Sequence, residues 1–221
     1  AQIAAGCPAA RAGAKETWIT DSTGAGIGAL ELGTGPKGVV LAHMAGGDSC
    51  QWLPFGQQLA AAGYHVVVFD FGGSGVSDPL AGQDRRDANV IGAAAYLHGH
   101  GALNVVLVGA SMGGTAALVA ANEVSPAVHG VVSLSAPASY QGMDAAAAVK
   151  KLSAPVLYIA GAGDGQYASA ARALYADTPG KAKTLLLASG AQHGTMLLAK
   201  QEADAARVRT AILDFLKQTL S

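Results

Sequence analysis

Val106-Leu107-Val108-Gly109-Ala110-Ser111-Met112-Gly113-Gly114 is the stretch on which the reading of this chain turns. An apolar, β-branched run ends in Gly-x-Ser-x-Gly, and an alanine-rich, helix-forming segment follows. A serine in that setting sits on a sharp strand-to-helix turn, with its hydroxyl projecting above the sheet. Such a turn brings two backbones together, so positions 109 and 113 have no room for a side chain. The helix after Ser111 aims its first amide N–H groups at whatever the hydroxyl attacks. Two rival readings are a tight turn with a helix-capping serine and a dinucleotide-binding turn. The second fits poorly. Gly-x-Gly-x-x-Gly spacing is absent at 109–114, and the next strand ends in Leu134-Ser135-Ala136, with no acid for a ribose.

Outward from this turn, strands and helices alternate. Short apolar runs at 39–43, 64–70, 104–109, 128–134, 155–160 and 183–188 read as buried strands. Helical segments are expected at 52–62, 84–97, 112–123, 144–151, 167–175 and 202–220, with Asp84 or Asp87 able to cap the second. The last shows apolar spacing at Val208, Ile212, Phe215 and Leu216. Segments 16–23 and 26–33 read as an antiparallel pair at one edge. The expected class is α/β: a mostly parallel central sheet with helices on both faces. The 221 residues fit one domain, 1–221, with 1–15 as an N-terminal arm.

A nucleophilic serine needs a base and an orienting acid. His193 lies in Gly190-Ala191-Gln192-His193-Gly194, after the last strand, and Asp164 just beyond the strand at 155–160. Both stand at carboxyl ends of parallel strands, the edge from which Ser111 emerges and where open α/β sheets place their sites. The order Ser, acid, His is that of one known triad arrangement. Taken alone, Asp164 reads equally as a helix cap and His193 as an exposed loop residue; their joint occurrence in order favours the triad. Asp144 is the other acid near these loops.

On these residues the chain resembles the α/β-hydrolase superfamily, from about residue 16 onward, as a small, lidless, esterase-like member. Leu41-Ala42-His43-Met44-Ala45-Gly46-Gly47 resembles that family's oxyanion loop, with Met44 where glycine is usual and Trp52 following. The resemblance implies that a backbone N–H of Ala45, or of Met44, joins that of Met112 in binding an oxyanion. Phe69-Asp70-Phe71-Gly72-Gly73-Ser74-Gly75 resembles the family's loop after its fourth strand, with Phe71 where arginine is usual. The expected activity is cleavage of carboxylic esters through an acyl-enzyme, with no cofactor and no metal. Thioesterase, peptidase, acyltransferase and perhydrolase chemistry would use the same triad, and a non-catalytic binding protein could share the fold. Dienelactone hydrolases share the lidless plan but use a cysteine nucleophile, so Ser111 argues against that activity.

Only about twenty residues, 135–154, separate two strands where many relatives insert a lid, so an open site and a small-molecule or polymeric ester are expected. Met44, Trp52, Tyr140, Met143, Met196 and Leu197 are the candidate substrate-binding residues, because methionine suits an adaptable acyl pocket; ordinary core packing is the competing reading. His43 reads as an orienter of the oxyanion loop, and His65 and His129 as strand beginnings at the far edge. His98 and His100 form a weak metal signal without a nearby carboxylate or cysteine.

Half the residues are hydrophobic, 13% are charged, and the formal net charge is −1. No basic run suggests nucleic acid or an anionic membrane surface, and no segment has the apolar length of a transmembrane helix. The oligomeric state is not legible. The chain begins at Ala1, which reads as a removed leader or a trimmed end. Cys7 and Cys50 suggest a disulfide and a secreted or periplasmic location. Two unrelated thiols in a cytoplasmic chain, and a lipid anchor at Ala5-Gly6-Cys7, are the other readings.

Overall fold

The computed structural model describes residues 2–80 and 85–221. Its eight-stranded sheet is built from β1 (Lys15–Thr20), β2 (Gly26–Leu32), β3 (Lys37–Ala42), β4 (His65–Phe69), β5 (Asn104–Ala110), β6 (Gly130–Leu134), β9 (Val156–Gly161) and β10 (Lys183–Ala188), in the order β1-β2-β4-β3-β5-β6-β9-β10. β1 and β2 pair antiparallel at one edge, as the sequence suggests, and β2 is antiparallel to β4. Across the rest of this sheet, β4-β3-β5-β6-β9-β10, every pairing is parallel. The chain starts this parallel half in the middle of the sheet and winds outward, which collects the carboxyl ends of β3, β5, β6, β9 and β10 along one rim.

The β-branched central strands are buried on both faces, with side chains alternating between two cores. Val40, Val67, Leu107 and Tyr158 pack beneath α2 (Arg86–Gly99), α3 (Met112–Ala120) and α5 (Gly165–Asp177). Val39, Val66, Val106 and Ile159 pack beneath α1 (Leu53–Ala61) and α6 (Ala205–Thr219). On α6, Val208, Ile212 and Leu216 are fully buried at a spacing of four. The N-terminal arm joins this second core through Ile3 and Ala4, and Cys7 is disulfide-bonded to Cys50, with Cα atoms 5.8 Å apart.

Some boundaries differ from the sequence reading. β1 stops at Thr20 because the Asp21 carboxylate accepts hydrogen bonds from the Thr23 and Ala25 N–H groups (2.8 and 3.1 Å), which folds 21–25 into a turn. Asp84 lies outside the described residues. Asp87 does not cap α2: it sits within the first turn and binds Arg85 at 3.2 Å. The segment after β6 forms a small hairpin, β7 (Ser139–Tyr140) and β8 (Met143–Asp144), and then α4 (Ala145–Ala148). No cap domain is inserted there. Among the described residues no helix is long and apolar enough to cross a membrane.

Candidate active site

Ser111 joins β5 to α3 with φ 52° and ψ −120°. A non-glycine residue held at positive φ is strained and persists only where its surroundings fix it. Here the Ser111 N–H donates to the Leu134 carbonyl of β6 (2.7 Å), and its own carbonyl accepts from the Thr115 N–H (3.1 Å). A Cβ at Gly109 would collide with the Gly113 carbonyl, and one at Gly113 with the carbonyls of Ala42 and His43. The second contact sets the start of α3 against the end of β3, so the loop after β3 borders the serine.

His193 reaches back from the segment after β10. Its Nδ1–H donates to Asp164 Oδ2 at 2.7 Å, and Nε2 lies 2.9 Å from Ser111 Oγ. A carboxylate only accepts, so Nδ1 carries the proton and Nε2 faces the serine hydroxyl as an acceptor. Asp164 precedes α5 but its side chain makes no capping bond. The acid loop is tied to the histidine loop by backbone: the Ala162 N–H donates to Ala188 O (2.7 Å), and the Gly163 N–H to Gly190 O (2.8 Å). At Gly161 a Cβ would lie 2.6 Å from the Gln192 carbonyl, so only glycine permits this approach. Asp144, the rival acid, is exposed and caps α4 through the Ala147 N–H at 2.9 Å.

In the loop after β3 the N–H groups of Ala45, Gly46 and Asp48 make no hydrogen bond among the described residues. The Met44 N–H donates to Gln51 Oε1 (2.8 Å). The Met112 N–H opens α3 and has no intrahelical acceptor. His43, fully buried, fixes this loop: Nδ1–H donates to the Met44 carbonyl (2.7 Å), and Nε2 accepts from the Phe71 N–H (2.9 Å). Burial pushes its pKa below the ordinary 6.5, against the opposing pull of the Met44 carbonyl and the charges of Asp70 and Asp48. The fully buried Asp70 carboxylate holds the same region from below, accepting from the Ser49 and Val76 N–H groups (2.8 and 3.1 Å).

The six candidate substrate-binding residues do not converge. Trp52 is fully buried and donates its indole N–H to the Ala42 carbonyl (2.7 Å), so it packs under the loop. Met143 and Leu197 are also closed into the cores. Met196 is exposed, Tyr140 is half-buried beside Arg86, and Met44 is half-buried with its sulfur against Gly194 and 4.0 Å from Thr195 Oγ1. His98 and His100 each bond a carbonyl near the end of α2 through Nδ1 (Ala102 at 2.9 Å, Tyr96 at 2.8 Å). Among the described residues no group of three or more His, Cys, Asp or Glu side chains could hold a metal.

Three residues around the candidate site escaped the sequence reading. Ser135, also at positive φ (51°), accepts from the Gly194 N–H at 2.9 Å. Gln51 takes up the Met44 N–H. The Tyr167 ring lies 4.2 Å from the His193 ring at 56°. Only Tyr167 carries a signal in the sequence: it stands three residues after Asp164, on the same side of the first turn of α5.

A family model described as alpha/beta hydrolase fold matches residues 38–214. An esterase of Pyrococcus furiosus superimposes with a TM-score of 0.80 at 16% identity, over 94% of this chain and 93% of that one. An esterase from Exiguobacterium antarcticum gives 0.75 at 15%, over 92% and 100%. A dienelactone hydrolase from Anabaena variabilis gives 0.75 at 21%, over 95% and 100%. No curated protein matches the chain in sequence.

Proposed function

The chain belongs to the α/β-hydrolase fold family, and on that premise we propose that it hydrolyses carboxylic esters through an acyl-enzyme formed on Ser111. The observation that carries this reading is the unbroken chain Ser111 Oγ, His193 Nε2, His193 Nδ1, Asp164 Oδ2, with contacts of 2.9 and 2.7 Å. That two of the structural neighbours bear the name esterase adds support.

In this mechanism Ser111 Oγ attacks the acyl carbon as its proton passes to His193 Nε2. Asp164 holds the imidazole tautomer and stabilises the charged ring. The new oxyanion accepts from the Ala45 and Met112 N–H groups, a pair of donors of which each contributes about 10²- to 10³-fold in rate. Collapse breaks the ester C–O bond, and the departing alkoxide takes the proton from His193. A water molecule, deprotonated by the same imidazole, then releases the acid and restores Ser111. The chain itself supplies every group these steps use, without a cofactor.

With no cap domain inserted after β6, the site is read as open, which suits small or polymeric esters. The whole chain is read as one hydrolase domain with residues 1–15 as its arm. The Cys7–Cys50 bond favours an oxidising, extracytoplasmic compartment. A fluorophosphonate probe tests the reading. It should label the native protein at Ser111, alongside turnover of 4-nitrophenyl esters. Absence of both labelling and turnover would overturn it.

A further inference from the structure

A groove of about 450 Å³ runs between the start of α1, the 3-10 turn Gly194–Leu198 and α6. It adjoins the candidate site at two points. Thr195, on its wall, stands two residues after His193, and Gln51, also on its wall, is the residue that takes up the Met44 N–H. A second hollow of about 270 Å³ along α6 shares Lys200 and Arg209 with it. Among the described residues no acidic side chain lines either hollow.

Arg209 is held in place without being neutralised. One guanidinium nitrogen donates to Gln58 Oε1 (2.9 Å), another to the Leu198 carbonyl, and the group lies 5.9 Å from the Phe55 ring centre. None of these partners is a carboxylate. Lys200, exposed on the rim, has no ion pair among the described residues either. Arg207, two residues earlier on the same helix, does pair with Asp204 at 3.3 Å. A guanidinium restrained by neutral partners keeps its charge and part of its donor fork for an outside anion, with little ordering left to do on binding.

We propose that this groove binds a carboxylate borne by the substrate, at the end remote from the scissile ester. The proposal rests on the ester-hydrolase reading and narrows it to anionic esters. The carboxylate can lie on the acyl part or on the alcohol part, and the test separates the two. The acyl arm compares mono(4-nitrophenyl) adipate with 4-nitrophenyl hexanoate; the alcohol arm compares 4-(hexanoyloxy)benzoate with phenyl hexanoate. In one arm the anionic ester should exceed its neutral partner about tenfold in kcat/KM, the size of one charge-assisted hydrogen-bonded contact. That ratio should fall to about one in Arg209→Gln and a few-fold in Lys200→Gln, and should decline as salt is raised from about 0.05 to 0.5 M. Lys200 makes no structural bond, so its variant reads the groove even if Arg209→Gln folds poorly. A ratio near one in both arms of the native protein, or a ratio that neither variant moves, overturns the proposal and leaves ester hydrolysis standing. If the neutral esters are not hydrolysed either, the ester reading itself has failed, and calorimetric titration with adipate then reads the groove: binding weakened by Lys200→Gln supports an anion site, and no binding overturns it.

Discussion

The molecule holds two histidine–carboxylate pairs of the same length at opposite ends of its sheet. His193 Nδ1 lies 2.7 Å from Asp164 Oδ2 at the carboxyl rim, and His65 Nε2 lies 2.7 Å from Glu31 Oε1 near the amino ends of the parallel strands. Distance does not separate them, but what surrounds each pair does. The second nitrogen of His193 meets the hydroxyl of a strained serine, and the imidazole side chain is 31% exposed. The second nitrogen of His65 is buried with no partner, the side chain is 1% exposed, and the other oxygen of Glu31 binds Tyr96 and Lys15 (3.0 and 3.3 Å). An imidazole–carboxylate pair becomes a candidate for proton transfer only where its free nitrogen faces a reactive group that substrate can reach. Enclosed, the same pair joins β2, β4 and α2.

The sharpest way to break this contrast is to disable each pair in turn. Ser111→Ala and His193→Ala should each lower kcat by about 10⁶, and Asp164→Asn by about 10⁴. Glu31→Gln should leave the rate on a 4-nitrophenyl ester within about twofold, since no reacting atom lies near it. Equal losses at Glu31 and Asp164, measured by steady-state kinetics on folded variants, would erase the distinction.

A second test concerns dependence on a remote covalent tie. Cys50 adjoins Gln51, which holds the Met44 N–H. Closing 43 residues of chain should stabilise the fold by about 4 kcal/mol in the chain-entropy model. Reduction should therefore lower the melting temperature markedly. It should also cut activity by up to about 10², well below the unfolding temperature, by loosening an oxyanion donor. Unchanged melting and unchanged rate after reduction would contradict this.

Tyr167 sharpens the comparison further, since its ring rests against that of His193. Tyr167→Ala should lower kcat about tenfold by freeing the ring, and Tyr167→Phe, which keeps the aromatic face, should restore most of it. Equal loss in both variants would assign the effect to the hydroxyl instead.

The smallest effect is electrostatic. Burial pushes the Glu31 carboxyl upward, but hydrogen bonds from His65, Tyr96 and Lys15, with the Lys15 charge, outweigh it, and its pKa lies below the ordinary 4.5. A carboxylate lowered on folding contributes stability that is complete above its unfolded value and is lost as pH falls through the folded one. Melting temperature should therefore drop below about pH 4.5, with a shallower slope in Glu31→Gln. Parallel acid slopes in the two proteins would show that Glu31 contributes nothing.

Much of this was legible in the chain. Gly109, Ser111 and Gly113 define a turn that few other geometries satisfy, and two-face-buried strands such as 64–70 announce themselves by β-branched runs. Asp164 and His193 were legible because a parallel sheet delivers strand ends to one rim. Side-chain direction within loops was not legible. Trp52, Met143 and Leu197 are apolar residues near the rim, and composition does not say whether such residues face a ligand or the core. Gln51 and Ser135 were hidden because irregular backbone has no period to read: a single polar residue in a loop finds its partner only once the loop is folded. The groove at Arg209 sets the histidine loop and α6, near the end of the chain, against α1, far earlier in sequence.

His43 has one consequence for how the molecule meets acid. As a neutral ring it bridges two loops, giving a proton to Met44 and taking one from the Phe71 amide. A second proton can go only on Nε2, where it would face another donor and part the loop after β3 from the loop after β4. The stability this bridge lends is complete above the ordinary imidazole value of 6.5 and is lost as pH falls through the lowered one. The molecule therefore carries a proton-operated latch behind the proposed oxyanion donors. Acid would spring that latch and part the loop that carries the Ala45 N–H from the loop that follows β4.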